Sequence, residues 1–173
     1  MGTWFWYFVW YSLMGFALEV AFARLTRQEK RDRKCFYLLP LCPVYGLGAI
    51  AILLLPRWAK ENTLLLILFG GLAAAAVEYL VGLFDQKVLG VRFWDYSHLP
   101  GNVGGKVCLP FTVAWGLLAL VLVRMVHPWV AAVAAATPRW LFPPAAVLVA
   151  GDALRSGYLL RRAGTTEVLK WYS

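Results

Sequence analysis

The feature that most constrains this chain is a series of five apolar runs, each about as long as a bilayer is thick. The runs lie at residues 4–23, 36–55, 63–84, 107–126 and 141–160. A membrane-spanning helix needs about 20 mostly apolar residues, because each helical residue advances the chain by about 1.5 Å. Charged residues make up only 15% of the chain, against roughly 25% in soluble domains. The sequence therefore predicts an all-α, polytopic membrane helical bundle of about five transmembrane helices, forming a single domain over residues 1–173.

Basic residues are concentrated in alternate connections between these runs. Thirteen of the 17 Lys and Arg residues lie in the first connection (among them Lys30, Arg31 and Arg33), in the third connection and at the C-terminal end. The other side has only Arg57, Lys60, Arg124 and Arg139. Cytoplasmic loops carry the excess of Lys and Arg, so the N-terminus is predicted outside and the C-terminus in the cytoplasm. The net charge of +8 then reflects orientation, and no nucleic-acid partner is expected. Residues 129–139 are interpreted as an outer connector, for which a short helix on the surface is one interpretation.

Acidic residues also occur inside the runs, at Glu19, Glu78 and Asp152, and Asp85 marks the inner end of the third run. Ionisable groups in a membrane are costly and are candidates for function. Under the predicted orientation all four lie in the inner half of the bilayer. Asp152 and Arg155 are three residues apart, so they are predicted to form a structural ion pair on one helix face. Glu19 could reach toward Arg24, whereas Glu78 has no basic residue within local reach.

The second run carries the helix-breaking residues Pro40, Pro43, Gly46 and Gly48. Proline lacks a backbone N–H and disfavours helix in the residue before it. Irregular backbone in a membrane is tolerated where protein or a water-filled cavity satisfies it, and such segments often mark binding sites. We therefore predict a broken second helix over residues 36–48. A kinked helix with no ligand is the alternative.

The stretch RFWDYSHLPGNVGGK, residues 92–106, is a cluster of polar and aromatic residues between two apolar runs. Its aromatic residues favour a loop that folds back onto the bundle, where it would form the inner wall of a polar site. The candidate substrate-binding residues are Glu19, Tyr45, Glu78, Trp94, Asp95, Tyr96, Asn102 and Lys106. Lys106 is predicted to neutralise Glu78 or Asp95. The stretch is not a nucleotide-binding P-loop, because Pro100 and Val107 occupy positions that require Gly and Ser or Thr.

Three cysteines, Cys35, Cys42 and Cys108, form no CxxC pair and no metal-like spacing with the two histidines. They are interpreted as buried, inert thiols. No metal and no cofactor is expected.

The order of motifs resembles the CmpB family of small bacterial membrane proteins, which are labelled ABC-transporter type IV or ABC transporter permease proteins. The matching pieces are GFALE, PVYGLGA, VEYL, FWDYS, NVGGKVCL, WGLLAL and HP, over about residues 10 to 130. Family members usually carry a Gly-Pro pair where this chain has LLPLC, and Arg is common where Lys106 stands. The resemblance implies a permease of the bacterial cytoplasmic membrane, with a separate ATPase subunit as a possible partner.

Three functions are consistent with these features. The first is a permease component with an inward-facing polar substrate site between helices. Because five spans enclose little volume, we expect it to act as a homo-oligomer or with a partner. The second is an intramembrane enzyme acting on a lipid or other amphiphile at the inner leaflet. Glu78 or Asp95 would be its general base and Lys106 its oxyanion clamp. The third is a non-catalytic assembly or regulatory subunit.

Overall fold

The computed structural model describes residues 2–27 and 34–170, and this part of the chain is helical with no β-strand. The basic residues Lys30, Arg31 and Arg33 of the first connection lie outside the described residues. Seven α-helices are numbered in chain order: α1 Gly2–Leu25, α2 Pro43–Leu53, α3 Arg57–Glu61, α4 Thr63–Phe84, α5 Leu109–Val121, α6 His127–Ala136 and α7 Phe142–Ala163. π-Helical turns follow α4 at Asp85–Leu89 and α5 at Leu122–Val126, and short 3₁₀ turns flank α7.

Within residues 2–27 and 34–170, three helical stretches are long and apolar enough to cross a membrane. They are Gly2–Leu25, Thr63–Leu89 and Leu109–Ala136, of 24, 27 and 28 residues. They correspond to the first, third and fourth apolar runs. In the fifth run, α7 has 22 residues but carries several charged ones and is less apolar. In the second run, α2 has only 11 residues, a length of about 16 Å, which is too short to cross a bilayer as a helix.

In the second apolar run, residues 36–48 are not one continuous helix. Residues 36–42 are not helical, and α2 is regular from Pro43 onward, so Gly46 and Gly48 lie inside a continuous helix. Pro43 is at the first helical position, where a missing N–H costs nothing. It also favours extended backbone at Cys42, whose φ and ψ are −117° and 93°. The prolines therefore delay the start of the helix.

The connector expected at residues 129–139, for which a short helix is one interpretation, is helical for most of its length. Helix continues through it to Ala136, and the chain turns only before the 3₁₀ turn Arg139–Leu141. Pro128 removes the N–H that would bond the carbonyl of Arg124. The wider π turn at Leu122–Val126, directly before this proline, adjusts the backbone locally, so the helix continues past the proline.

Glycine residues allow close approach in two helix pairs, α1 with α2 and α4 with α5. A Cβ added to Gly46 on α2 would lie 2.3 Å from Oγ of Ser12 on α1. A Cβ added to Gly116 on α5 would lie 2.4 Å from the carbonyl oxygen of Ile67 on α4. Such contacts require glycine and are typical of helix packing in membranes, where van der Waals contact replaces the hydrophobic effect. Helix α2 packs against both α1 and α4, and α4 packs against α5, so α1, α2, α4 and α5 form one cluster that holds Glu19 and Glu78.

Candidate functional site

Glu19 on α1 is held by a tyrosine of α2. The Tyr45 hydroxyl donates a hydrogen bond of 2.6 Å to Glu19 Oε1, and Glu19 is 7% exposed. Gly15, one helical turn before Glu19, makes room for the Tyr45 ring: a Cβ there would lie 2.2 Å from Tyr45 Cγ. The glycine thus lets α1 and α2 approach closely enough to bring the phenol to the carboxylate.

Glu78 on α4 is held from two directions. The Tyr96 hydroxyl, from the loop before α5, donates to Oε1 at 3.0 Å. The Trp115 indole N–H, from α5, donates to Oε2 at 2.9 Å. Glu78 is only 3% exposed. Each carboxylate oxygen therefore has a donor, and charge-assisted bonds of this kind are stronger than neutral ones.

Aromatic rings connect the two glutamates. Trp115 lies edge-on to Tyr45, with ring centroids 5.1 Å apart, so the donor to Glu78 packs against the donor to Glu19. Tyr96 stacks on Phe111 at 4.7 Å. We call the two glutamates with Tyr45, Tyr96 and Trp115 the carboxylate cluster. Helices α1, α2, α4 and α5 and the loop of residues 92–106 each contribute to the carboxylate cluster, so the cluster forms only in the folded bundle.

Two apolar cavities adjoin the carboxylate cluster. One, of about 240 Å³, is lined by Tyr45, Glu78 and Trp115 among others. The other, of about 260 Å³, is lined by Glu19, Tyr45, Tyr96 and Trp115. Both reach the outside of the bundle beside Leu18 and Leu118, which are 42% and 39% exposed. The carboxylates are therefore the polar features of cavities that open on the apolar face of the helices.

Asp95 does not join the cluster. Its side chain faces solvent, accepts the Ser97 backbone N–H at 2.9 Å and lies 3.5 Å from Arg92. These neighbours, above all the Ser97 N–H, hold the pKa of Asp95 below its usual value, and His98 adds a smaller contribution. The turn after Asp95 thus uses the carboxylate locally, and its partner is Arg92 rather than Lys106.

Lys106 also contradicts the prediction, since it neutralises neither Glu78 nor Asp95. Its ammonium donates to the Gly104 carbonyl at 3.2 Å and lies 5.9 Å from the Tyr79 ring centroid. Gly104 and Gly105 both have positive φ, 59° and 68°, and this turn directs the lysine back onto its own loop. Its carbonyl instead accepts the Trp94 indole N–H at 2.8 Å.

Trp94 and Asn102 support the loop. A Cβ on Gly82 of α4 would lie 3.2 Å from Trp94, so the indole packs against α4 beside the cluster. Asn102 is exposed, and its amide donates to the carbonyls of Ser97 and Leu99 at 3.0 Å each. Both residues therefore position Tyr96 indirectly, by fixing the loop that carries it.

Asp152 does not pair with Arg155 within the described residues. Its carboxylate accepts the backbone N–H groups of Leu38, at 3.0 Å, and Leu39, at 2.7 Å. Arg155 instead lies over the Tyr37 ring, 4.2 Å from its centroid. The non-helical segment before α2 exposes N–H groups that have no intrahelical acceptor, and an uncompensated buried N–H is costly. Accepting these backbone N–H groups therefore stabilises the structure more than an ion pair between Asp152 and Arg155 would.

Three residues of the site were not among those predicted: Gly15, Phe111 and Trp115. Trp115 had a detectable signal, because a tryptophan within an apolar run needs an acceptor for its N–H when it is buried. Gly15 and Phe111 carry no such signal in a single sequence.

Long apolar helices around buried, hydrogen-bonded carboxylates define a helical membrane protein. Residues 6–151 match the family model ABC_trans_CmpB, described as "Putative ABC-transporter type IV", so the chain belongs to this family, as its motifs indicated. The matched range includes the whole carboxylate cluster. Comparisons with curated proteins and with solved structures found no match.

Proposed function

We propose that the protein is a permease-like membrane component whose substrate site is the carboxylate cluster with its two cavities. The observation that carries this proposal is the burial of Glu19 and Glu78 beside cavities large enough for a small solute. Intramembrane carboxylates are expensive and are retained where they bind or relay. Tyr45, Tyr96 and Trp115 hold these carboxylates through side chains, which can exchange a hydrogen bond for a ligand without unfolding a helix.

The proposed arrangement has five spans, with the N-terminus outside and the site facing the cytoplasm. The irregular residues before α2 would complete the second span, since Asp152 satisfies backbone N–H groups there, as a membrane interior requires. Exposed Trp4, Trp58, Trp129 and Trp140 would lie at the outer interface, where aromatic belts occur. The fifth span would be α7.

A partner is part of the proposal. The family description names an ABC transporter, and such transporters draw on nucleotide hydrolysis. The chain itself has no P-loop, because Pro100 and Val107 replace the required residues. We therefore propose a separate ATPase subunit, with the membrane component acting as a homo-oligomer or together with that subunit in the bacterial cytoplasmic membrane.

One observation favours a second function, an intramembrane enzyme acting on an amphiphile. The cavities open beside Leu18 and Leu118, which face outward from the bundle, so a lipid-soluble substrate could enter from the side. Glu78 would then be the general base. Asp95 and Lys106 lie outside the cluster and are not part of this alternative.

The test compares inverted membrane vesicles from cells with and without the protein. Permease activity predicts that one or more solutes change in ATP-dependent accumulation, and that Glu78→Gln removes the difference while protein levels are unchanged. Glu167→Gln is the matched control, because this carboxylate pairs with Lys170 in the C-terminal turn, away from the cluster. An altered lipid profile with no solute difference would support the enzyme instead. Equal solutes and equal lipids would contradict both.

The orientation is tested separately by cysteine labelling of intact cells in a cysteine-free background. Ser97 lies on the exposed surface of the loop and Ala136 at the exposed end of α6. The proposed topology predicts labelling of Ala136→Cys by an impermeant reagent and protection of Ser97→Cys. The reverse pattern would invert the topology and place the site at the outer leaflet.

A further inference from the structure

A further cleft, separate from the two apolar cavities, lies at the end of the bundle away from the carboxylate cluster. It has a volume of about 430 Å³, and its charged lining residues are Arg57, Lys60, Glu61 and Arg124. Tyr7 also lines it and precedes Glu19 by one stretch of α1 that is about 18 Å long. The two sites are therefore well separated, and this cleft takes no part in the function proposed above.

Two of the cations are fixed in place by helix ends. The Lys60 ammonium donates to the carbonyl of Leu53, the last residue of α2, at 2.7 Å. One amino group of Arg124 donates to the carbonyls of Lys60 and Glu61 at the end of α3, at 2.9 Å each. An ammonium has three protons and a guanidinium five, so both groups keep donors for another acceptor.

Arg57 has no such role. It makes no hydrogen bond or ion pair with any other residue in the ranges 2–27 and 34–170. Its charge adds to those of Lys60 and Arg124, and Glu61 is the only acidic residue among those lining the cleft. Helix C-termini offset part of this charge. The remainder favours an anion, because like charges in one cleft repel each other until an anion lies between them.

The donors indicate which anion. Arginine presents several N–H groups in a fixed plane, and lysine adds a compact charge, a combination suited to phosphoryl oxygens. Trp4 also lines the cleft and is 45% exposed, as is typical of a tryptophan at lipid headgroup level. We propose that this cleft binds a phosphoryl group, supplied by an anionic phospholipid headgroup or by a soluble phosphate ester.

Three single-charge variants of the full-length protein test the proposal. Arg57→Gln removes a cation that makes no hydrogen bond or ion pair within the described residues, Glu61→Gln removes the opposing anion, and Arg139→Gln removes a comparable exposed cation outside the cleft. Each surface charge changes the binding of an anionic headgroup by about fivefold. We expect Arg57→Gln to weaken binding by about that factor, Glu61→Gln to tighten it by a similar factor, and Arg139→Gln to have no effect.

Two probes distinguish the sources of the phosphoryl group. Phosphatidylglycerol retention is measured by native mass spectrometry after reconstitution in phosphatidylcholine nanodiscs containing that lipid. Glycerol 3-phosphate binding is measured by calorimetry in phosphatidylcholine alone. If the variants change binding of the lipid in the expected order but do not change binding of the ester, the cleft is a headgroup site. If they change binding of the ester in that order, the ligand is soluble. The proposal is overturned if neither probe binds, if Arg57→Gln and Arg139→Gln behave alike, or if Glu61→Gln does not tighten binding.

Discussion

Replacing Gly15 by alanine tests the contact that brings Tyr45 to Glu19. The new Cβ would lie 2.2, 2.3 and 2.6 Å from three atoms at the base of the Tyr45 side chain, where carbon atoms need about 3.5–4.0 Å. These atoms are close to the backbone, so the ring cannot rotate away and α1 and α2 must separate. Overpacking of this kind costs about 1–3 kcal/mol.

Losing the Tyr45–Glu19 hydrogen bond adds about 0.6–1.7 kcal/mol, the range for such bonds in membranes. The better helix propensity of alanine returns about 0.5–1 kcal/mol. The net loss of unfolding free energy is therefore about 1–4 kcal/mol, which corresponds to a fall in Tm of very roughly 2–16 °C for a chain of this size. Thermal unfolding in detergent, followed by near-ultraviolet circular dichroism, measures it.

Gly48→Ala is the matched control, because a Cβ at Gly48 on α2 meets nothing within 4 Å. It should leave Tm unchanged or raise it slightly through helix propensity. If Gly15→Ala is as stable as Gly48→Ala, the close approach of α1 and α2 is wrong, and with it the position of Tyr45 beside Glu19.

Three further predictions concern the other polar residues. Asp152→Ala should lower the unfolding free energy by about 2–5 kcal/mol, because it leaves two part-buried backbone N–H groups without their acceptor. Chemical denaturation measures this loss, and equal stability of the two proteins would contradict the contact. Lys106→Met should lower the unfolding free energy by no more than about 1 kcal/mol in the same assay, as should Lys87→Met. Within the described residues, the partners of the Lys106 ammonium are a carbonyl and an aromatic ring. A much larger loss for Lys106→Met would support the ion pair that the sequence predicted. The pKa of Asp95 is lowered in the folded protein, so its carboxylate stabilises the loop above the ordinary Asp pKa of about 3.9. This stabilisation is lost as the pH falls through the folded pKa. Asp95→Asn should abolish this acid dependence, which hydrogen exchange at Ser97 measures.

The helical membrane character and three long helices could be predicted from the sequence, because apolar length alone carries that information. Residues 63–84 were predicted with the observed bounds of α4. Nothing in the sequence indicated that helix runs on past Pro128 to Ala136, since a proline favours an end to the helix. A single sequence does not show that a π turn upstream can accommodate a proline, because that depends on the packing of neighbouring helices.

The site was predictable to the extent that burial decides it. Glu19 and Glu78 were chosen because ionisable groups in apolar runs need partners, Tyr45 because it lies in the second run with its helix-breaking residues, and Tyr96 because its loop was expected to fold back. The structure brings these four residues together. Asp95 and Lys106 were chosen on proximity in sequence and charge. They lie elsewhere because the positive-φ turn at Gly104 and Gly105 directs the loop, and turn geometry of this kind decides side-chain direction independently of charge.

The acidic residues of the bundle differ in what they bind, and this difference separates structural from functional groups. Asp152 accepts backbone N–H groups, which cannot move away without unwinding the segment before α2, so its role is to hold the fold. Glu78 accepts side-chain donors from a loop tyrosine and from a tryptophan on α5. Rotation of Tyr96 or a small shift of the loop would release Oε1 while α4 stays intact. A carboxylate that can change partners at this low structural cost is the one expected to meet a substrate, and its neighbouring cavity provides the space.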